Sequence, residues 1–194
     1  PSPCGSSAAL PAFHGASLDE IKADEIIIAT GSTANKLRVN GGETAIPAVD
    51  FLLGKHEVGE KVTIIGGGLT GCEIAYELYL QGKKPTIIEM LDDLVCTPGI
   101  CLANTSYLRD FFKLNKVPVH LETRVNEIKD GNVIVTDKEG KQFTIESDSV
   151  IASVGYKPAP IAKKSKHIHI IGDADKVGNL RTVIWQAWDT AMKL

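Results

Sequence analysis

No stretch of this sequence stays apolar for the ~20 residues that a membrane-spanning helix requires, and its first residues do not run from basic to apolar to small as a secretory leader does. The expectation is a cytoplasmic protein with no membrane partner. Positive charge is not in excess either. Lys and Arg number 21 against 24 Asp and Glu, for a net charge of −3. The one local basic run, Lys163-Lys164-Ser165-Lys166, is short enough to be a solvated turn. Nucleic acid calls for a concentrated basic face, so it is not expected as a partner. Cysteine is sparse: Cys4, Cys72, Cys96 and Cys101, with no pair at the two-residue gap of a zinc knuckle or a thioredoxin-type site. A chain of 194 residues buries a core without disulfides, and reduced thiols are expected. His167 and His169 have no third ligand near them in the sequence, so no metal site is expected. A starting Met is also lacking; opening on Pro1, the chain reads as a fragment of something longer.

What is present is 43% hydrophobic and 23% charged, the balance of a globular domain. After a lead-in rich in Pro, Gly, Ser and Ala, the segment Asp24 to Gly31 contains Ile26-Ile27-Ile28 and reads as a strand buried on both faces. Residues 32–47 read as a connector and Val49 to His56 as a short helix. Lys61 to Ile65 is a second buried strand, Gly66 to Gly71 a tight turn, and Cys72 to Gln81 a helix with Ile74, Ala75, Leu78 and Tyr79 at helical spacing. Gly82 stops that helix, and Pro85 to Glu89 is the next strand. Strand, turn, helix and strand follow within about 30 residues, the size of a βαβ unit.

Further on, a helix is expected over Leu102 to Leu114, capped from Asn104, Thr105 or Ser106, then a strand over Val117 to His120. Arg124–Ile128, Asn132–Val135 and Gln142–Ile145 form an antiparallel meander, with turns at Asp130-Gly131 and Glu139-Gly140. Ser149 to Gly155 is a buried strand, His167 to Ile171 the last strand, and Asn179 to Leu194 the closing helix. Trp185 and Trp188 share a face of that helix and are expected to pack. The fold class is α/β: a Rossmann-like, doubly wound parallel sheet with an antiparallel β-meander.

Chemistry concentrates in Gly66-Gly67-Gly68-Leu69-Thr70-Gly71. Gly66 lets the chain turn sharply out of the strand, Gly68 lets backbone approach a pyrophosphate, and Gly71 lets the helix sit close to the sheet. The helix start aims free N–H groups and a positive dipole end at the phosphates. Glu89 closes the next strand, where its carboxylate can accept from the adenosine ribose hydroxyls and repel a 2′-phosphate. No Arg or Lys follows it closely, so NADH is favoured over NADPH. The alternative is a glycine turn that only packs a helix on a sheet. Glu73, in the first helical turn, has a structural role at least as readily as a cofactor contact. Cys96 and Cys101 have the four-residue gap of some redox-active pairs, without a neighbouring His or Lys to lower a thiol pKa. Cys72 reads as core.

Taken in order, the strand Asp24 to Gly31, the turn with Glu73 and Glu89, Val150 to Gly155 with Tyr156-Lys157-Pro158, and Ile170-Ile171-Gly172-Asp173-Ala174 resemble the pyridine nucleotide-disulphide oxidoreductase superfamily. The run from Gly172 to Trp185 resembles the C-terminal part of the 2-enoate reductase group, old-yellow-enzyme-related NADH:flavin oxidoreductases similar to 2,4-dienoyl-CoA reductase. The resemblance implies a NAD domain inserted in a partial FAD-binding domain. Residues 1–57 would be the lead-in and first FAD-type strand, 58–157 the NAD(H)-binding domain, and 158–194 the return into the FAD-type domain. It places Gly66, Gly68, Leu69, Thr70, Gly71 and Glu89 around NADH, with Val154 and Gly155 near the nicotinamide. It places Thr30, Gly31, Asp173 and Ala174 along FAD. No catalytic residue carries over.

The implied function is the NADH-binding electron-input portion of a flavin-dependent oxidoreductase: hydride passes from NADH to FAD and onward to an enoate or enone reductase site outside this chain. The FAD site is incomplete here, since no glycine-rich turn for the ADP half of FAD precedes the Ala29-Thr30-Gly31 strand. FMN, an iron–sulfur cluster, the N-terminal barrel and the rest of the FAD half are expected only in a longer parent protein, and the isolated fragment is expected to be inactive. Two other readings stay open: a non-catalytic dinucleotide-binding module lacking the flavin half, and a thiol-disulfide reductase using Cys96 and Cys101.

Overall fold

The computed structural model describes residues 17–96, 99 and 101–194. In chain order the strands are β1 (Ile26–Ile28), β2 (Ser32–Ala34), β3 (Ile46–Pro47), β4 (Lys61–Ile65), β5 (Lys84–Ile88), β6 (Val119–His120), β7 (Arg124–Lys129), β8 (Asn132–Thr136), β9 (Gln142–Glu146), β10 (Ser149–Ala152), β11 (Tyr156–Pro158) and β12 (Ile168–Ile170). The α-helices are α1 (Ala48–Leu52), α2 (Leu69–Leu80), α3 (Leu102–Leu114) and α4 (Leu180–Ala191). They form two compact units: Ser32–Pro158, and the described residues up to Gly31 together with Ala159–Leu194. No helix among the described residues is long and apolar enough to cross a membrane.

The central unit is built on a parallel sheet in the order β3-β10-β4-β5-β6. Successive strand residues point to opposite faces, and the two faces have separate cores. Val62, Ile64, Ile87 and Ile151 point toward the side of Ala75 and Leu78 of α2 and Leu108 and Phe112 of α3. Ile65, Ile88 and Val150 point to the other side, against Val125, Ile128, Val133 and Val135 of the meander β7-β8-β9. Because each face has its own cover, β4 and β5 each end on two consecutive Ile residues rather than alternating apolar with polar. Each fully buried Ile contributes about 1.5–3 kcal/mol. The parallel Rossmann-like sheet and the antiparallel meander are both as expected from the sequence.

Three details differ. The segment 32–57, expected with the lead-in, packs with the central unit: Ile46 pairs with Ile151, and Ala45 and Ala48 are buried in its cores. The ribbon of β2 with β11 has no apolar alternation to announce it; Thr33 stands opposite Lys157 and Ala34 opposite Tyr156. Helix α3 starts from Cys101 as its flanking residue, with Asn104 and Thr105 already inside it.

The terminal unit pairs β1 with β12 in parallel. Only Ile26–Ile28 of the expected Asp24–Gly31 strand is regular, and only Ile28 is fully buried, because among the described residues β12 is its single partner. Glu25 ties the pair together: its two carboxylate oxygens lie 2.9 Å from His167 Nδ1 and 2.8 Å from His169 Nε2. A carboxylate only accepts, so both ring nitrogens carry the hydrogen. The bond to His167, and then that to His169, holds the Glu25 carboxyl below its ordinary value of 4.5. A lowered folded pKa gives stability that is full above the ordinary value and lost as the pH falls through the folded one. Protection of the Ile26 and Ile28 amides, relative to their intrinsic exchange rate at each pH, is therefore expected to fall as the pH drops below 4.5 in the wild type. Glu25→Gln should exchange faster already at pH 6, and equal exchange of the two proteins at that pH would remove the tie.

Helix α4 forms as expected, started by Asn179, whose side chain accepts from the Thr182 N–H at 3.1 Å. Its tryptophans do not pack. Trp185 is 60% and Trp188 61% exposed, and the helix has no buried residue. Spacing put the two indoles on one face, but burying that face takes a covering surface that local sequence does not specify.

Candidate functional site

In the central sheet β4 has β5 on one side and β10 on the other. The chain leaves β4 toward β5 and β6 and returns to the opposite side through the meander. Such a reversal opens a crevice at the carboxyl ends of the strands, and the glycine turn begins there. The Gly66 N–H donates to the Ile88 carbonyl at 2.8 Å, and the Ser153 N–H to the Ile65 carbonyl at 2.8 Å. The turn is thereby bound to the ends of β5 and β10.

Each glycine of the turn has a different reason to be glycine. Gly66 has φ +109°, and a Cβ there would lie 2.2 Å from the Ser153 carbonyl oxygen. A Cβ on Gly71 would lie 2.0 Å from the Gly66 carbonyl oxygen, so the first turn of α2 rests directly on the strand exit. On Gly67 it would meet Leu94 at 2.5 Å and Glu89 at 3.0 Å. Gly68 differs from all three: φ is −67° and nothing lies within 4 Å of its Cβ position. No internal contact demands glycine at Gly68; the open space in front of it does if a ligand fills it.

Helix α2 begins at Leu69, earlier than the expected Cys72, with Gly68 as its flanking residue. Leu69, Thr70 and Gly71 therefore form the first turn. The bond from the Cys72 N–H to the Gly68 carbonyl, 3.0 Å, is the earliest of the helix, and N–H groups ahead of it have no partner within a helix. They face the crevice with the positive end of the dipole, a setting for phosphate.

Glu89 comes to the same place. Its Oε2 accepts from the Gly67 N–H at 2.5 Å and its Oε1 from the Leu91 N–H at 2.9 Å. Each carboxylate oxygen keeps further lone-pair capacity, so the group is fixed to the turn and can still accept from a ligand hydroxyl. The loop after it is anchored as well. The Val95 N–H donates to the Gly67 carbonyl at 2.8 Å, Arg109 Nε donates to Asp93 Oδ1 at 2.9 Å, and Arg109 Nη2 donates to the Leu94 carbonyl. Leu94 and Arg109, which the sequence reading did not single out, carry this support together with Gly67.

Val154 and Gly155 follow β10, next to the turn's neighbour Ser153. Asn35 clamps them: its Nδ2 donates to the Val154 carbonyl at 3.1 Å and its N–H to the Gly155 carbonyl at 2.9 Å. In the terminal unit, Thr30 and Gly31 follow β1 while Asp173 and Ala174 follow β12, so the parallel pairing brings all four to one edge of the strand pair. Thr30 Oγ1 donates to the Ala159 carbonyl at 2.9 Å, and Asp173 Oδ1 accepts from the Gly178 N–H at 3.1 Å. The Ala174 methyl is buried with Ile28 and Ile170, leaving its backbone as the group with a role at that edge.

The cysteines divide sharply. Cys72 is fully buried, with its Sγ 3.3 Å from the Gly67 carbonyl oxygen. Burial, with Glu89 adding to it, pushes its thiol up to about 12. Cys96 and Cys101 are exposed and free. Because the thiolate is the reactive form, iodoacetamide at pH 8 should label Cys96 and Cys101 in the native protein and leave Cys72 untouched until urea is added. Equal labelling of Cys72, read by peptide mass, would contradict its placement.

Comparison with known proteins adds the context. The sequence pattern of the family described as pyridine nucleotide-disulphide oxidoreductase matches residues 9–178. A cinnamate reductase of Clostridium sporogenes is 36% identical over 183 residues, covering 91% of this chain and 27% of that protein. An NADH oxidase of Thermoanaerobacter brockii is 32% identical over 183 residues, covering 88% and 28%. Among solved structures, a 2-naphthoyl-CoA reductase in complex with 2-naphthoyl-CoA superposes with a TM-score of 0.77 at 26% identity, over 88% of this chain and 27% of its own. A thioredoxin reductase of T. acidophilum shares the fold, with a TM-score of 0.67 at 22% identity over 89% of this chain and 65% of its own. The chain spans about a quarter of the length of the two curated relatives.

Proposed function

Because this chain belongs to the pyridine nucleotide-disulphide oxidoreductase family, we propose that it is the NADH-binding electron-input portion of a flavin-dependent oxidoreductase. The family binds FAD and a nicotinamide dinucleotide. In our reading the central unit takes NADH and the terminal unit contributes part of the FAD site through Thr30, Gly31, Asp173 and Ala174. The onward acceptor is an enoate- or enone-reducing site outside this chain, a reading supported by the cinnamate reductase relative. An FMN and an iron–sulfur cluster of a longer protein belong to the same proposal.

The observation that carries it is the open space at Gly68, in front of the free N–H groups of α2 and beside the fixed Glu89 carboxylate. Pyrophosphate fits that arrangement: the N–H groups of Leu69, Thr70 and Gly71 donate to it, and the dipole of α2 favours its charge. Glu89 accepts from the adenosine ribose and disfavours a 2′-phosphate, which selects NADH over NADPH. The flavin, when bound, accepts the hydride and passes electrons onward. This chain's residues hold the two nucleotides and orient them.

Gly68→Ala tests the reading. Its φ is allowed to any residue and its Cβ touches nothing, so the urea midpoint should match the wild type. A methyl in the cradle should nevertheless weaken NADH binding on the order of tenfold to a hundredfold, the equivalent of about 1–3 kcal/mol of overpacking. Unchanged NADH affinity in a titration of nicotinamide fluorescence would sink the proposal.

A further inference from the structure

A cavity of the central unit lies beside the segment that Asn35 clamps. Asn35, Lys36, Leu37, Arg38 and Lys157 line this cavity of about 430 Å³, within the usual size range of small-molecule sites. Three of its five lining residues are cations. Lys36 and Arg38 come from the segment after β2, and Lys157 from the middle of β11, and the β2–β11 pairing brings the two stretches together. Neither stretch carries an acid: there is no Asp or Glu from Ile26 to Gly42, nor from Ser149 to Gly172. Among the described residues Lys36, Arg38 and Lys157 form no ion pair, whereas Lys55, Lys61, Lys84, Arg109 and Lys138 each hold a carboxylate.

The frame around these cations is fixed. Asn35 is bonded to both Val154 and Gly155. Leu37 and Val39 pack on the meander-side core, and a Cβ on Gly42 would lie 2.4 Å from the Leu37 carbonyl oxygen. Three unpaired positive charges on a rigid concave frame repel one another until an anion joins them, and guanidinium and ammonium groups are the natural donors to phosphate.

We propose that Lys36, Arg38 and Lys157 form a binding site for a small phosphate-bearing anion of two or more negative charges, separate from the glycine turn. Inorganic pyrophosphate and ADP are the probes, added to the ¹⁵N-labelled full chain in the presence of saturating NADH. Amides of residues 35–38 and 156–157 should shift saturably with either probe, and less at high salt, where the attraction is screened. Tighter binding of ADP at those amides identifies a phosphate ester as the ligand, and equal binding identifies the free inorganic anion. Lys36→Gln/Arg38→Gln/Lys157→Gln changes three exposed side chains, and should weaken the probe at least tenfold while leaving NADH affinity unchanged. Lys157→Gln alone should give part of that loss. Shifts confined to Gly66–Gly71, no saturable shift, or equal affinity in the triple variant would overturn the site. NADH binding is read separately, so failure here and failure of the NADH proposal are distinguishable.

Discussion

Gly71→Ala should unfold at a clearly lower urea concentration than the wild type, by about 3 kcal/mol, the upper part of the range for an overpacked site. The added methyl would sit 2.0 Å from the Gly66 carbonyl oxygen. That oxygen is backbone and cannot swing aside as the tip of a long side chain can. Gly66 is itself constrained, since its φ is +109° and it lies against the Ser153 carbonyl. Relief therefore requires α2 to lift from the sheet, which opens the contacts of Cys72, Ile74 and Ala75 in the helix-side core. NADH binding should fall in parallel, because the N–H groups of the first turn move with the helix. Gly82→Ala is the control: unlike Gly71 it has a positive φ, +81°, but no atom within 4 Å of its Cβ position, so it should show the backbone cost alone, about 1–2 kcal/mol. Equal urea midpoints for Gly71→Ala and the wild type would mean that the close approach is not there.

Glu89→Ala should have two effects. In the free protein it removes the acceptor of the Gly67 and Leu91 N–H groups. Gly67 is buried, and an unsatisfied buried donor costs about 1–3 kcal/mol. In the proposed NADH complex it would remove the charged acceptor for the ribose, weakening NADH by a further ~1.5–3 kcal/mol. Glu89→Gln separates the two. It keeps an acceptor oxygen and so recovers part of the stability, but it loses the charge that repels a 2′-phosphate. The NADH-over-NADPH preference should therefore narrow in Glu89→Gln even where the urea midpoint is restored. Parallel titrations with both nucleotides check this, and equal binding of NADH and NADPH by the wild type would refute the role given to Glu89.

Much of the central unit was legible because its determinants are local. The apolar runs of β4 and β5, the helical spacing after the turn and the Asp-Gly and Glu-Gly turns of the meander each act over a few residues. The start of α2 was misplaced by three residues because its first turn, Leu69-Thr70-Gly71, carries the glycine that the motif assigns to the turn itself. The β2–β11 ribbon escaped because Ser32-Thr33-Ala34 has neither apolar alternation nor β-branched density. Its pairing depends on a strand more than 120 residues away.

By itself the sequence determined the main helices and strands of the central unit, the parallel sheet and the glycine turn with its acid, since backbone conformation and burial periodicity are set by neighbouring residues. Only the tertiary structure decided which groups meet. It tied Glu89 to Gly67, put Arg109 on the loop after Glu89, set Asn35 against Val154 and Gly155, and gathered Lys36, Arg38 and Lys157 around one cavity. It left Trp185 and Trp188 exposed on a helix whose spacing had promised burial. The physical reason is the same in each case: a hydrogen bond, an ion cluster or a buried face is a property of two surfaces, and the second surface comes from a distant part of the chain.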